Sequence, residues 1–273
     1  MIQVSMDGPN VNWKFYNDLR KKIKADYASN LINIGSCGLH IVNNSFKRGI
    51  NATGWKVESF LSSLYYLFKD APARREDYHT TTNATLMPLK FVMHRWLENV
   101  PVCQRALDIW NNIVKFVKAA EEGKIKRPTN KSYEVVKECV NDKCFVAKLH
   151  FFKCIASHLQ PFLVKYQSEK PMVPFLNDDL CMLMKALMRR FIKHEELDKC
   201  SDEKLVKLDV TDKKLHITYK KIDIGYASEK LKMSKPSENQ LMQFRMECKA
   251  CLIDILTKLQ AKCPASYSLV RHL

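Results

Sequence analysis

At 273 residues the chain can bury a sizeable core. With 46% apolar and 27% charged residues but only 7 glycines and 10 prolines, its composition excludes a disordered, collagen-like or low-complexity protein. The 45 lysines and arginines against 29 acids leave a net charge of +16, which favours polyanionic partners and makes nucleic acid the first one to consider. The 10 cysteines lie in apolar helical patterns behind no signal peptide, and no apolar run nears the roughly 20 residues of a membrane span; the expectation is an intracellular chain with reduced thiols and no membrane.

Residues 1–6 (MIQVSM) predict a short strand, stopped by Gly8-Pro9, which leaves Asp7 at its carboxyl end. Asn10 can cap a helix whose apolar positions Val11, Phe15, Leu19 and Ile23 recur every fourth residue. Residues 31–34 predict a second short strand, ended by Gly35-Ser36. Strand, crossover helix and strand would make a parallel βαβ unit, and in such sheets ligands sit beyond the carboxyl strand ends, where Asp7 and Cys37 both fall.

After His40 the pattern turns helical. Residues 55–68 are strongly apolar, and residues 102–117 predict an amphipathic helix through Leu107, Trp110, Ile113, Val114 and Val117. Residues 123–130 form a basic loop, and helical periodicity returns over 133–166, 178–192 and 238–259. Two more short strands are predicted at 215–219 and 222–225.

Several constellations carry chemistry, each beside a plainer reading. A carboxylate such as Asp7 at a strand end is what a metal-dependent phosphoryl-transfer site needs, because Mg²⁺ prefers oxygen ligands; Asp-Gly-Pro-Asn is also an ordinary turn sequence. Cys37 and His40 are three residues apart at a strand-to-helix junction, close enough to face one site, yet they form half a zinc set at most. Cys248 and Cys251, with Cys263 and His272, make a nominal four-ligand group. However, Phe244, Cys248, Cys251, Ile255 and Leu259 repeat at helical spacing, which favours core packing. The set Cys139, Cys144, His150 and Cys154 reads the same way. Arg95-Trp96 could grip a phosphate and stack on an extruded base, or be a buried tryptophan beside a surface arginine.

As an ordered set, Met6-Asp7-Gly8-Pro9-Asn10, Ser36-Cys37-Gly38-Leu39-His40 and His94-Arg95-Trp96-Leu97-Glu98 resemble the hAT (hobo and Activator) superfamily of transposases. Residues 67–78, 171–176, 244–249 and 267–271 add to a likeness that runs nearly end to end. The resemblance implies an RNase H-like catalytic domain split by a large helical insertion, with two aspartates and a glutamate holding Mg²⁺ or Mn²⁺. Asp7 matches the second aspartate and so would be both catalytic and a metal ligand. Cys37 and His40 match the Cys/Asp-x-x-His element, and Arg95 and Trp96 the Arg-Trp pair associated with DNA handling. The expected architecture is therefore mainly α, with a partial RNase H-like α/β segment over residues 1–50 and a helical insertion-type domain over 51–273.

The companions of Asp7 are not in this sequence. The first aspartate would precede Met1, and the glutamate, in a Glu-Arg-x-Phe-Ser-like setting, would follow Leu273; a BED-type zinc finger is likewise missing. The expected function is that of a hAT transposase-derived fragment, descended from a metal-dependent enzyme of DNA cleavage and strand transfer and inactive as it stands, with the metal not held stably. The alternative is a domesticated, non-enzymatic DNA- or chromatin-binding protein, and a third reading is a protein-interaction scaffold. DNA is the expected partner and the nucleus the expected location, and the reading admits a homo-oligomer.

Overall fold

The computed structural model describes residues 4, 6, 10–33, 35–92, 99–267 and 270–271. In chain order the helices are α1 (Asn10–Tyr27), α2 (Gly38–Ala52), α3 (Val57–Phe68), α4 (Pro72–Thr82), α5 (Asn99–Asp108), α6 (Trp110–Glu121), α7 (Lys131–Asn141), α8 (Phe145–Tyr166), α9 (Leu176–Met188), α10 (His194–Asp198), α11 (Asp202–Lys207), α12 (Ala227–Ser234) and α13 (Glu238–Lys262). By internal contacts the chain divides into two compact units. The first comprises Met1–Thr53, Leu159–Asp223 and Met246–Leu273, the second Gly54–His158 and Ile224–Arg245.

The protein is mainly α, and the expected α/β segment at the front finds no support among the described residues; the strand expected over residues 1–6 lies outside them except for residues 4 and 6. Among the described residues there is no β-strand; pairing is limited to isolated bridges, at Ile32 and between Ile192 and His216. Two short strands without a third partner make a poor sheet. Residues 31–33 are instead held by α1: Leu31 is buried, and the Tyr16 hydroxyl donates to its carbonyl at 3.4 Å. The strands expected at 215–219 and 222–225 give way to 3-10 turns at Lys213–Leu215 and Tyr219–Lys221. Asp212 starts the first of these turns by accepting the Lys214 N–H, a local bond that competes with strand pairing.

In the first unit, α2 presents Ile41, Val42, Phe46 and Ile50 to the core, and Gly49 lets it approach α13. A Cβ at Gly49 would stand 2.3 Å from Ile255 Cγ1 and 2.6 Å from the Cys251 carbonyl oxygen, so no side chain fits there. Arg48 and Asp254 pair loosely beside this crossing, at 3.6 Å. Helix α1 is different. Its predicted apolar stripe begins with Val11 and Phe15, which are 77% and 59% exposed, while Tyr16 is the side chain it buries.

The second unit is built around α3, whose Val57, Phe60, Leu61, Leu64, Leu67 and Phe68 are all buried. Aromatic rings fill the space around it. Phe145 lies edge-on to Phe60 at 4.8 Å and stacks with Trp110 at 5.8 Å; Phe68 meets Tyr78 at 5.2 Å and Phe116 at 5.3 Å. Trp55 stacks on Phe244 at 5.2 Å. Two predicted continuous helices are each split in two. Residues 102–117 break at the buried Ile109, and residues 133–166 break where the Asp142 carboxylate accepts the Cys144 N–H at 2.8 Å and pairs with Lys148 at 2.7 Å. Such a bond to a nearby backbone amide competes with helix continuation.

Candidate nucleic-acid site at the start of α2

The turn before α2 is dictated by its glycine. The Asn33 side-chain oxygen accepts the Gly35 N–H at 2.9 Å and closes a tight turn, and Gly35 has φ +85°, which a side chain would strain. A Cβ there would also stand 3.0 Å from the Tyr267 ring. The chain then enters α2 with Cys37 as the capping residue, outside the helical region and with no side-chain cap bond. Its N–H donates to the Met6 carbonyl at 3.2 Å, and its own carbonyl accepts the Ile41 N–H, the first bond of the helix. The amides of Gly38 and Leu39 precede that bond and have no acceptor within the helix.

These residues line a cavity of about 520 Å³ in the first unit. Met6 and residues 35–39 form one side of it; Tyr166, Ser168, Lys170, Met172, Val173 and Leu176 form the other. Tyr166 is fixed by donating to Asp179 at 2.7 Å and by stacking on Phe162 at 4.4 Å. Burial and the Asp179 bond hold its phenol well above the ordinary tyrosine range, so it stays a neutral donor. Asp179 is also paired with Lys165 at 2.6 Å. No carboxylate is among the described lining residues, and the first turn of α2 carries no acid. The helix N-terminus and Lys170 therefore make the cavity electropositive. Its described lining offers hydrogen-bond donors and positive charge.

Of the site residues expected from sequence, Cys37 and His40 both lie half-buried at the start of α2. The Cys37–Met6 bond brings the residue before Asp7 against the same turn. Asp7, Arg95 and Trp96 themselves lie outside the described residues, as does His272. Among the described residues no group of three or more His, Cys, Asp and Glu side chains converges. Mg²⁺ or Mn²⁺ takes oxygen ligands; the described lining offers the hydroxyls of Ser36, Tyr166 and Ser168, while Asp7, the carboxylate expected to hold the metal, lies outside the described residues. Tyr166, Ser168 and Lys170 were not expected here; the one sequence signal for them is the break that ends α8 just before Pro171.

The cysteine groups are packing elements. Cys248, Cys251 and Cys263 are fully buried, and burial holds the thiols of Cys251 and Cys263 above the ordinary range, the latter at about 11. Cys103, Cys139 and Cys181 are pushed by burial up to about 12. Burial of this kind keeps the thiols protonated and away from solvent. Among the described residues no helix is long and apolar enough to cross a membrane.

Comparison with known protein families, with curated proteins and with solved structures gave no match.

Proposed function

We propose that this chain is a DNA-binding protein of hAT transposase descent that does not itself cut DNA. The observation that carries the proposal is the net charge of +16 on a folded helical protein. The ordered motifs around Asp7, Cys37-His40 and Arg95-Trp96 support the descent, and the free amides at the start of α2 with Lys170 across the cavity support contact with phosphates.

Displacement of counterions from duplex DNA makes a definite expectation. With about four phosphate contacts, affinity should fall about 100-fold between 50 and 200 mM salt. Fluorescence anisotropy of a labelled duplex over that range measures it, and binding indifferent to salt, or none at physiological ionic strength, overturns the reading. A second arm supplies Mg²⁺ or Mn²⁺ with transposon-end DNA. No cleavage is expected; cleavage abolished by Asp7→Ala would restore the enzymatic reading.

A further inference from the structure

In the first unit the segment after α9 folds back on the turn after α11. The Lys193 N–H donates to the Leu215 carbonyl and the Ile217 N–H to the Phe191 carbonyl, both at 2.9 Å, on either side of the Ile192–His216 bridge. This pairing sets Lys193 beside the Lys213–Leu215 turn, where its Nζ donates to the Lys214 carbonyl at 2.7 Å. Helix α13 brings Lys249 to the same place. Burial, then repulsion from Lys213, holds the Lys249 ammonium below the usual lysine range.

Lys193, Lys213 and Lys214 are exposed and Lys249 is half-buried; among the described residues none of the four has a carboxylate within ion-pair distance. The nearest acids are already engaged locally. Asp212 accepts the Lys214 N–H, and Asp209 accepts both the N–H and the hydroxyl of Thr211. Elsewhere between α9 and α11 two lysines are paired, Lys199 with Glu196 at 3.2 Å and Lys207 with Glu203 at 3.1 Å. Asp209 and Asp212 keep their charge beside the cluster, but four lysines outnumber them, and a polyanion relieves the repulsion that remains.

We infer that Lys193, Lys213, Lys214 and Lys249 form a contact surface for the phosphate backbone of duplex DNA. The inference rests on the DNA-binding reading above and gives that reading a location. The chemistry argues for backbone contact without base readout. The cluster consists of lysines, point charges on flexible stems, with no arginine fork for bidentate recognition. The aromatic ring beneath it, Phe191, is buried under His216 and is not presented for stacking on a base.

The test uses the full chain and an arbitrary duplex of about 20 base pairs, whose binding is followed by anisotropy at several salt concentrations. The triple variant Lys193→Gln, Lys213→Gln, Lys214→Gln removes three exposed charges and should keep an unchanged thermal melt. Its salt slope should drop by about 2 to 3, and its affinity at about 100 mM salt should fall at least tenfold. A control variant, Lys14→Gln, Lys21→Gln, Lys24→Gln, removes three exposed lysines of α1 and should lose less than threefold.

If the wild type binds DNA and the cluster variant binds it with the same slope, the location is wrong while the DNA-binding reading stands. An equal loss in the control also overturns it, because position would then not matter. If the wild type fails to bind, both fall. Vesicles of phosphatidylserine and phosphatidylcholine form the last arm: loss of vesicle binding with DNA binding intact would assign the surface to lipid headgroups and overturn the inference.

Discussion

Helices α1 and α3 carry apolar residues at comparable spacing and meet opposite fates. In α3 every residue of the stripe is buried, closed over by rings from α4, α6 and α8. In α1 Val11 and Phe15 stand in solvent while Tyr16 carries the packing. The difference teaches that periodicity states which face a helix offers, whereas burial requires a second surface of matching shape. For α1 the expected partner was a parallel sheet, and no strand forms among the described residues.

The comparison is sharpest at two phenylalanines. Phe60→Ala should cost about 3 to 5 kcal/mol, since it empties the centre of the aromatic cluster. Phe15→Ala on the exposed stripe should change stability by less than about 0.5 kcal/mol. Urea unfolding of both variants measures the contrast, and equal effects would show that α1 is covered after all.

Next in size is Gly49→Ala, which drives a methyl into Ile255 and the Cys251 carbonyl; it should cost about 2 to 3 kcal/mol on the same scale. A neutral result would mean that α2 and α13 separate easily.

A pH effect follows in the second unit. Burial, with Lys230 and Lys153 nearby, pushes His150 from the ordinary 6.5 down to about 4, and its ring lies edge-on to Tyr226 at 4.9 Å. The unfolded chain therefore binds a proton between pH 6.5 and 4 that the folded chain refuses. The contribution is complete above about pH 6.5 and is lost as pH falls toward 4. After discount for solvent screening it amounts to about 1 kcal/mol. Thermal melts from pH 7 to 4 should lose part of their slope in His150→Asn.

An effect of similar size is expected at the α7 cap. The Asn130 side chain accepts the Tyr133 N–H at 3.0 Å, so Asn130→Ala should cost about 1 kcal/mol, readable as a small fall in melting temperature.

Much of the helical body was legible. The residues of α3 and α13 follow from periodicity, and the Phe244, Cys248, Cys251, Ile255, Leu259 stripe is buried along its length. The splits at Ile109 and Asp142 were not legible, because each breaks an apolar pattern that continues across it. Of the strands expected at 31–34, 215–219 and 222–225, the described residues keep only single bridges at Ile32 and His216, because β-branched content marks a residue's fitness for a sheet without supplying a full neighbouring strand. At the candidate site, Gly35 and Cys37 at a helix entry could be read from Gly35-Ser36 and the apolar run beyond. Tyr166, Ser168 and Lys170 come from more than a hundred residues away, and no local pattern joins them to Cys37.

The amino-acid order by itself determined the positive charge, the helical period and the glycine at the turn, because each is a property of residues and their near neighbours. Tertiary structure alone decided which apolar faces are covered, which thiols are buried, and that Lys249 comes near Lys213. Those outcomes depend on close approach between segments distant in the chain, where packing and like-charge repulsion act through space without regard to sequence separation.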